Sequence, residues 1–102
     1  MSTFPLESLE TLHTLKGIYP CSQVTQCLEQ LAKNDVLLLI ESGVNNLLLP
    51  DFITQIKQID VQVFALKDDT QARAIQNNEI QTLSHSQFVD LSIASQRIIN
   101  WF

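Results

Sequence analysis

The run Val-Leu-Leu-Leu-Ile at Val36–Ile40 has no polar residue on either of its alternating faces. Side chains of a strand point alternately to opposite sides, so a strand built from this run needs apolar cover on both. That requirement suits a parallel sheet with helices on each face. Five residues are far too few to cross a bilayer. The run therefore marks the middle of a water-soluble core.

The flanking patterns extend this reading. Thr11–Leu15 is expected to be a first strand, broken by Gly17 and Pro20. Val24, Cys27, Leu28 and Leu31 then follow the i, i+3, i+4, i+7 rule of an amphipathic helix. Pro20 suits its first turn, Ser22 its cap, and "KND" its end. Gly43 and Asn45-Asn46 give a turn or a short helix start. A second helix is expected from Pro50 to Gln58, and a strand at Val61–Leu66. Asp68 or Asp69 is a natural N-cap for a short helix after it. "EIQTLS", residues 79–84, reads as a fourth strand. Residues 84–102 read as one long terminal helix, with Phe88, Leu91, Ala94 and Ile98 along one side. Alternation of this kind predicts a single α/β domain with a mostly parallel sheet of four or five strands and right-handed crossovers. Residues 1–9 read as a polar lead-in with a turn after Pro5.

Composition removes several function classes. Only two glycines, Gly17 and Gly43, are present, too few for a phosphate-cradling loop, so no nucleotide cofactor is expected. Net charge is −5, and the six basic residues are scattered; without a basic stripe, direct nucleic-acid binding is not expected. The opening MSTFPLESLE is acidic and is no secretory signal. The expected location is cytoplasmic, where a structural disulfide is not expected.

Candidate chemistry lies beyond the carboxyl ends of the strands, where open parallel sheets bind ligands. Those loops carry Lys16, Cys21, Glu41, Ser42, Asp68, Asp69 and His85. Cys21 and Cys27 form neither a CxxC redox motif nor a zinc pattern, so no metal is expected. Cys21, at a helix start whose partial charge favours a thiolate, is the better exposed thiol. Cys27 lies on the apolar stripe, where a packed small hydrophobe is the simpler reading. His13, inside the first strand, is expected to be packed or hydrogen-bonded, and His85 to be a solvated turn residue. No Ser/His/Asp set has an interpretable spacing. Trp101 and Phe102 either fold back on the core or dock on a neighbour.

Four ordered stretches together resemble the TusB/DsrH family: "LHTLKGIYP" (12–20), "NDVLLLIESGV" (34–44), "VFALKDDTQARA" (63–74) and "FVDLSIASQRIINW" (88–101). The resemblance implies a three-layer flavodoxin-like fold. It implies a subunit of a sulfur-relay complex that supports persulfide transfer for 2-thiolation of the tRNA wobble uridine, with TusC-like and TusD-like partners in a heterohexamer. A DsrH-type role in sulfur oxidation is the alternative, and a stand-alone small thiol sulfurtransferase is another. Either way, the resemblance makes the chain an accessory subunit more readily than an enzyme by itself, one that self-associates when made alone. "QCLEQL" resembles family members with a cysteine on the first helix, which makes Cys27 the candidate sulfur-relay thiol. Two departures stand out. Ala74 follows Arg73 where the family often has glycine, so a different turn is expected there. About ten residues precede the usual start, making residues 1–10 an N-terminal extension of a domain that otherwise spans the chain.

Overall fold

A computed structural model describes residues 9–102; the expected turn after Pro5 lies outside them. Five strands form one sheet: β1 (Thr11–Leu15), β2 (Val36–Leu39), β3 (Gln62–Leu66), β4 (Gln81–Leu83) and β5 (Arg97–Trp101). Their order is β4-β3-β2-β1-β5, and every neighbouring pair is parallel. The helices are α1 (Ser22–Gln30), α2 (Pro50–Lys57), α3 (Lys67–Ala72) and α4 (His85–Ala94), with a 3-10 helix over Glu41–Leu48.

The layers follow from side-chain alternation and the hand of the crossovers. Leu15, Leu37, Leu39 and Ala65 point to one face, where Val24 and Cys27 of α1 and Phe52 and Ile56 of α2 meet them. Leu12, Val36, Leu38, Phe64 and Leu83 point to the other, beneath Leu91, Phe88 and Ala94 of α4. From β1 to β4 the chain steps across the sheet in one direction, and then returns past β1 to β5. A crossover of unchanged hand must use the opposite face when its direction reverses. This is why α4 lies apart from α1 and α2, and why the domain has the three layers of a flavodoxin-like fold.

The apolar run ends up where its composition requires. All four residues of β2 are buried, and β2 is the middle strand. β3 is also interior, although Gln62 is exposed and Val63 half-buried. The expected α2 begins with Pro50 at its first position, where the missing N–H costs nothing. α4 starts with reciprocal capping: Gln87 N donates to Ser84 Oγ (3.2 Å) and Ser84 N donates to Gln87 Oε1 (2.9 Å).

Several expectations are corrected. The long terminal helix stops at Ala94, and residues 97–101 form β5. Backbone N–H groups of Gln96 and Arg97 both donate to Glu10 O, turning the chain into register with β1. The reason is tertiary: β1 is buried at all five positions, and its second edge needs hydrogen-bond partners. Ile98, Ile99 and Trp101 suit a strand better than a helix. At α1, Pro20 lies before the helix after a cis Tyr19–Pro20 bond, and Cys21 rather than Ser22 is the N-cap. The helix ends at Gln30, ahead of "KND". Leu66 is the N-cap residue of α3, with Asp68 and Asp69 in its first turn instead. Leu9, expected in a polar lead-in, is buried beside Leu12 and Leu91.

The departure at Ala74 does not change the kind of turn that glycine would make. Ile75 N donates to Thr70 O (2.9 Å) and Ala74 N to Gln71 O (3.1 Å), the paired bonds of a Schellman ending after α3. That ending puts Ala74 at φ 53°, a left-handed conformation that costs a Cβ-bearing residue about 1 kcal/mol. Ala74→Gly is therefore expected to raise stability by about 0.5–1 kcal/mol in urea unfolding; an unchanged or lower midpoint would contradict the strain.

Candidate functional site

Because β1, β2 and β3 are parallel neighbours, their carboxyl ends open on one side of the domain. The loops there bring together Lys16, Glu41, Ser42 and Asp69. Lys16 Nζ pairs with Glu41 Oε2 at 2.9 Å, and Ser42 Oγ donates to Lys16 O at 2.7 Å. Glu41 N donates to Asp69 Oδ2 at 2.7 Å, so the Asp69 side chain caps the 3-10 helix rather than its own. Asp69 also faces Arg73, one helical turn on, at 3.9 Å. The Lys16 ammonium lies 4.1 Å from the centre of the Phe102 ring. Its charges are thus engaged with one another, and no carboxylate here is paired with a nucleophile. His85 is not part of this group. It follows β4, three strands from β1 or about 14 Å at ordinary strand spacing, and is exposed, with its ring edge-on to Phe88.

Two residues let the loops pack this closely. A Cβ at Gly43 would sit 2.0 Å from Leu15 O, so only glycine lets the 3-10 helix cross the end of β1. Asn46 is fully buried. Its Nδ2 donates to Gly17 O (2.8 Å) and Gly43 O (2.9 Å), and its Oδ1 accepts from Tyr19 N (2.7 Å). One amide thereby ties the β1 and β2 loops together and leaves no polar atom unpaired. The sequence marked Asn46 only as a turn residue; nothing local signals a buried amide.

The thiols have separate environments. Cys21 is exposed at the N-cap of α1, with its Sγ turned over Gly17. Cys27 is completely buried on the inner face of α1, and desolvation pushes its thiol up from 9.0 to about 12. Five residues lie between them, and six steps of helical rise put them about 9 Å apart along the axis, beyond disulfide reach. Among the described residues no group of three or more His, Cys, Asp or Glu is placed to hold a metal ion, and no helix is long and apolar enough to cross a membrane.

His13 and Trp101 form a second polar centre, inside the sheet. His13 Nε2 lies 3.0 Å from Asp35 Oδ2, and the Trp101 indole N–H donates to His13 Nδ1 at 3.0 Å. Asp35 Oδ2 also accepts from Ala32 N at 3.1 Å. The imidazole is packed and hydrogen-bonded, as its place in a strand suggested. Of the terminal aromatics, Trp101 folds back against the core, its ring nearly parallel to that of His13 with centroids 6.3 Å apart, whereas Phe102 is exposed, its carbonyl accepting from Gln23 Nε2. Strand β5, which takes the place of the expected end of a terminal helix, is what brings Trp101 here.

Two measurements follow. Asn46→Ala leaves two carbonyls and one N–H without partners and is expected to cost about 2–4 kcal/mol in urea unfolding; a cost below 1 kcal/mol would mean water replaces the amide. Cys27 makes stability pH-dependent at the alkaline end. Its folded pKa is raised, so between pH 9 and about 12 the unfolded chain sheds a proton that the folded chain retains. Stability then falls as pH rises through that window. Subtracting the unfolding curves of Cys27→Ala from those of the unsubstituted chain should isolate that decline; parallel curves would contradict it. In the folded chain at neutral pH, iodoacetamide should modify Cys21 and leave Cys27 intact.

The DsrH-like protein family matches residues 17–98, most of the chain and every element from α1 to the start of β5. No curated protein matches the chain. The match spans the loops that Asn46 joins, the buried Cys27 and the α4 layer. The chain belongs to the DsrH-like family, whose members act as subunits of multi-subunit sulfur-relay complexes.

Proposed function

We propose that this chain is the TusB-type subunit of a cytoplasmic sulfur relay, supporting persulfide transfer toward 2-thiolation of the tRNA wobble uridine. The observation that carries this reading is the state of the chain's own chemistry. The thiol on the first helix is buried and un-ionised, and the Lys16, Glu41, Asp69 and Arg73 side chains at the strand ends are engaged within the loops themselves. A protein so arranged supports a reactive centre that lies mainly on a partner. The net charge of −5 without a basic stripe leaves contact with tRNA to other members of the complex.

The surface of α4 supports the subunit role. Val89 and Ile93 are one turn apart and are 44 % and 78 % exposed; Ile98 of the edge strand β5 is 47 % exposed. Such a stripe on an outer helix is suited to a protein partner, here a TusC-like or TusD-like subunit of a heterohexamer. In the isolated chain the same stripe favours self-association. Cys27 is the candidate relay thiol in this scheme. That role requires docking to shift α1, which Val24, Cys27, Leu28 and Leu31 hold on the sheet.

Deleting the gene and measuring tRNA 2-thiouridine by mass spectrometry tests the proposal, with complementation by the unsubstituted chain, Ile93→Asp and Cys27→Ser. Expected is loss of 2-thiouridine, restored by the unsubstituted chain. Ile93→Asp should fold normally, since the site is exposed, yet fail to copurify with TusC-like and TusD-like chains and scatter light as a smaller species when alone. Failure of Cys27→Ser within an intact complex would support the relay thiol; full activity would reduce Cys27 to packing. Unchanged 2-thiouridine with impaired sulfur oxidation would favour the DsrH-type alternative. Persulfide accepted by the isolated chain would favour a stand-alone sulfurtransferase.

A further inference from the structure

The contact between His13 and Trp101 determines the protonation state of the imidazole. An indole N–H can only donate, so His13 Nδ1, 3.0 Å away, must present a lone pair. The ring proton then resides on Nε2 and is donated to Asp35 Oδ2. His13 is 1 % exposed, so water offers its ring nitrogens no substitute. A proton added to Nδ1 would set two N–H donors against each other. The indole bond would be lost, while the Asp35 contact would become a charge-assisted ion pair and strengthen. Binding the proton thus exchanges one partner for the other.

We propose that His13 is a proton-operated latch on the end of β5: neutral, it fastens Trp101 to the sheet; protonated, it keeps Asp35 and lets the indole go. The groups around it leave the exchange to these three residues. Asp35 is the charged group on the approach to β2, and Leu37 follows it on the same face. Ile99 and Trp101 come from β5. From α1 the buried residues are Val24 and Cys27, whose thiol is neutral at the pH values concerned. Because the neutral ring makes the indole bond, the contribution of that bond to stability is present at higher pH and is lost as pH falls. The latch lies next to the strand-end loops. Lys16 N donates to Trp101 O (3.2 Å), and Lys16 covers Phe102. Release of the indole would therefore loosen the segment that packs on the Lys16–Glu41 pair.

The chain contains one tryptophan and two histidines, which makes the test direct. Tryptophan fluorescence and the single indole N–H resonance are followed from pH 8 to pH 5 on the full-length protein. The expected result is a one-proton transition of both signals with unchanged far-ultraviolet circular dichroism. His13→Gln should abolish the transition, and His85→Gln should leave it in place. An indole signal that stays constant in the folded chain, or a transition that survives His13→Gln, would overturn the latch. Should His13→Gln fail to fold, nitrogen NMR of the unsubstituted chain decides. At pH 8 a bare Nδ1 and a protonated Nε2 are expected in His13; the opposite tautomer, or a ring already doubly protonated there, would overturn it.

Discussion

Strand β1 is the constraint on which the rest of the structure depends. Its five residues are all buried, so none of its backbone N–H or C=O groups can rely on water. Each unmet group costs on the order of 1–3 kcal/mol. β2 satisfies one edge from Leu12↔Val36 to Leu15↔Leu39, and β5 the other from Thr11↔Arg97 to Leu15↔Trp101. The final segment is extended because β1 needs it there. Once β5 lies beside β1, the connection from β4 must recross the sheet, and α4 takes the second face. One strand's backbone requirement thus fixes the sheet order, the third layer and the position of Trp101.

The same accounting governs the polar groups in the interior. His13, Asp35 and Asn46 are buried, as are Thr11, Thr14 and Thr70, and among the described residues no buried side-chain polar atom lacks a hydrogen bond. Asn46 spends three bonds on two loops; His13 spends two on two different strands' neighbourhoods. These are long-range ties, across 22 to 88 residues of chain for His13. They replace the function that a larger apolar core would serve in holding loop to loop, and they add directional specificity that packing alone lacks. The cost is a dependence on protonation state that an apolar core does not have.

The site was partly legible. Lys16, Glu41, Ser42 and Asp69 could be assigned to strand-end loops because each follows a recognisable strand, and parallel neighbours must end on one side. Their mutual pairing could not be read, since it depends on which loops are adjacent. Local pattern offers Asp68 or Asp69 as a cap because Asp commonly caps the helix it begins; in the fold the Asp69 carboxylate reaches the N-terminus of another helix. The burial of Cys27 followed from its place on a helical stripe. Asn46 and Asp35 gave no signal, as a polar residue beside a turn looks the same whether water or a buried partner receives it.

Local pattern by itself determined the strand at Val36–Leu39, the faces of α1 and α2, and the α/β class, because side-chain periodicity acts within a few residues. The ordered set of short stretches carried the family. Tertiary structure alone decided β5. Ile98, Ile99 and Trp101 favour an extended backbone by type, but their spacing from α4 fits a helix as well. Phe88, Leu91, Ala94 and Ile98 fall on one helical side, the pattern of a helix that continues through them. What separates the two outcomes is the open edge of β1, 86 residues away at the first paired position. Sequence periodicity records which side chains must be covered; it does not record which distant backbone still lacks a partner.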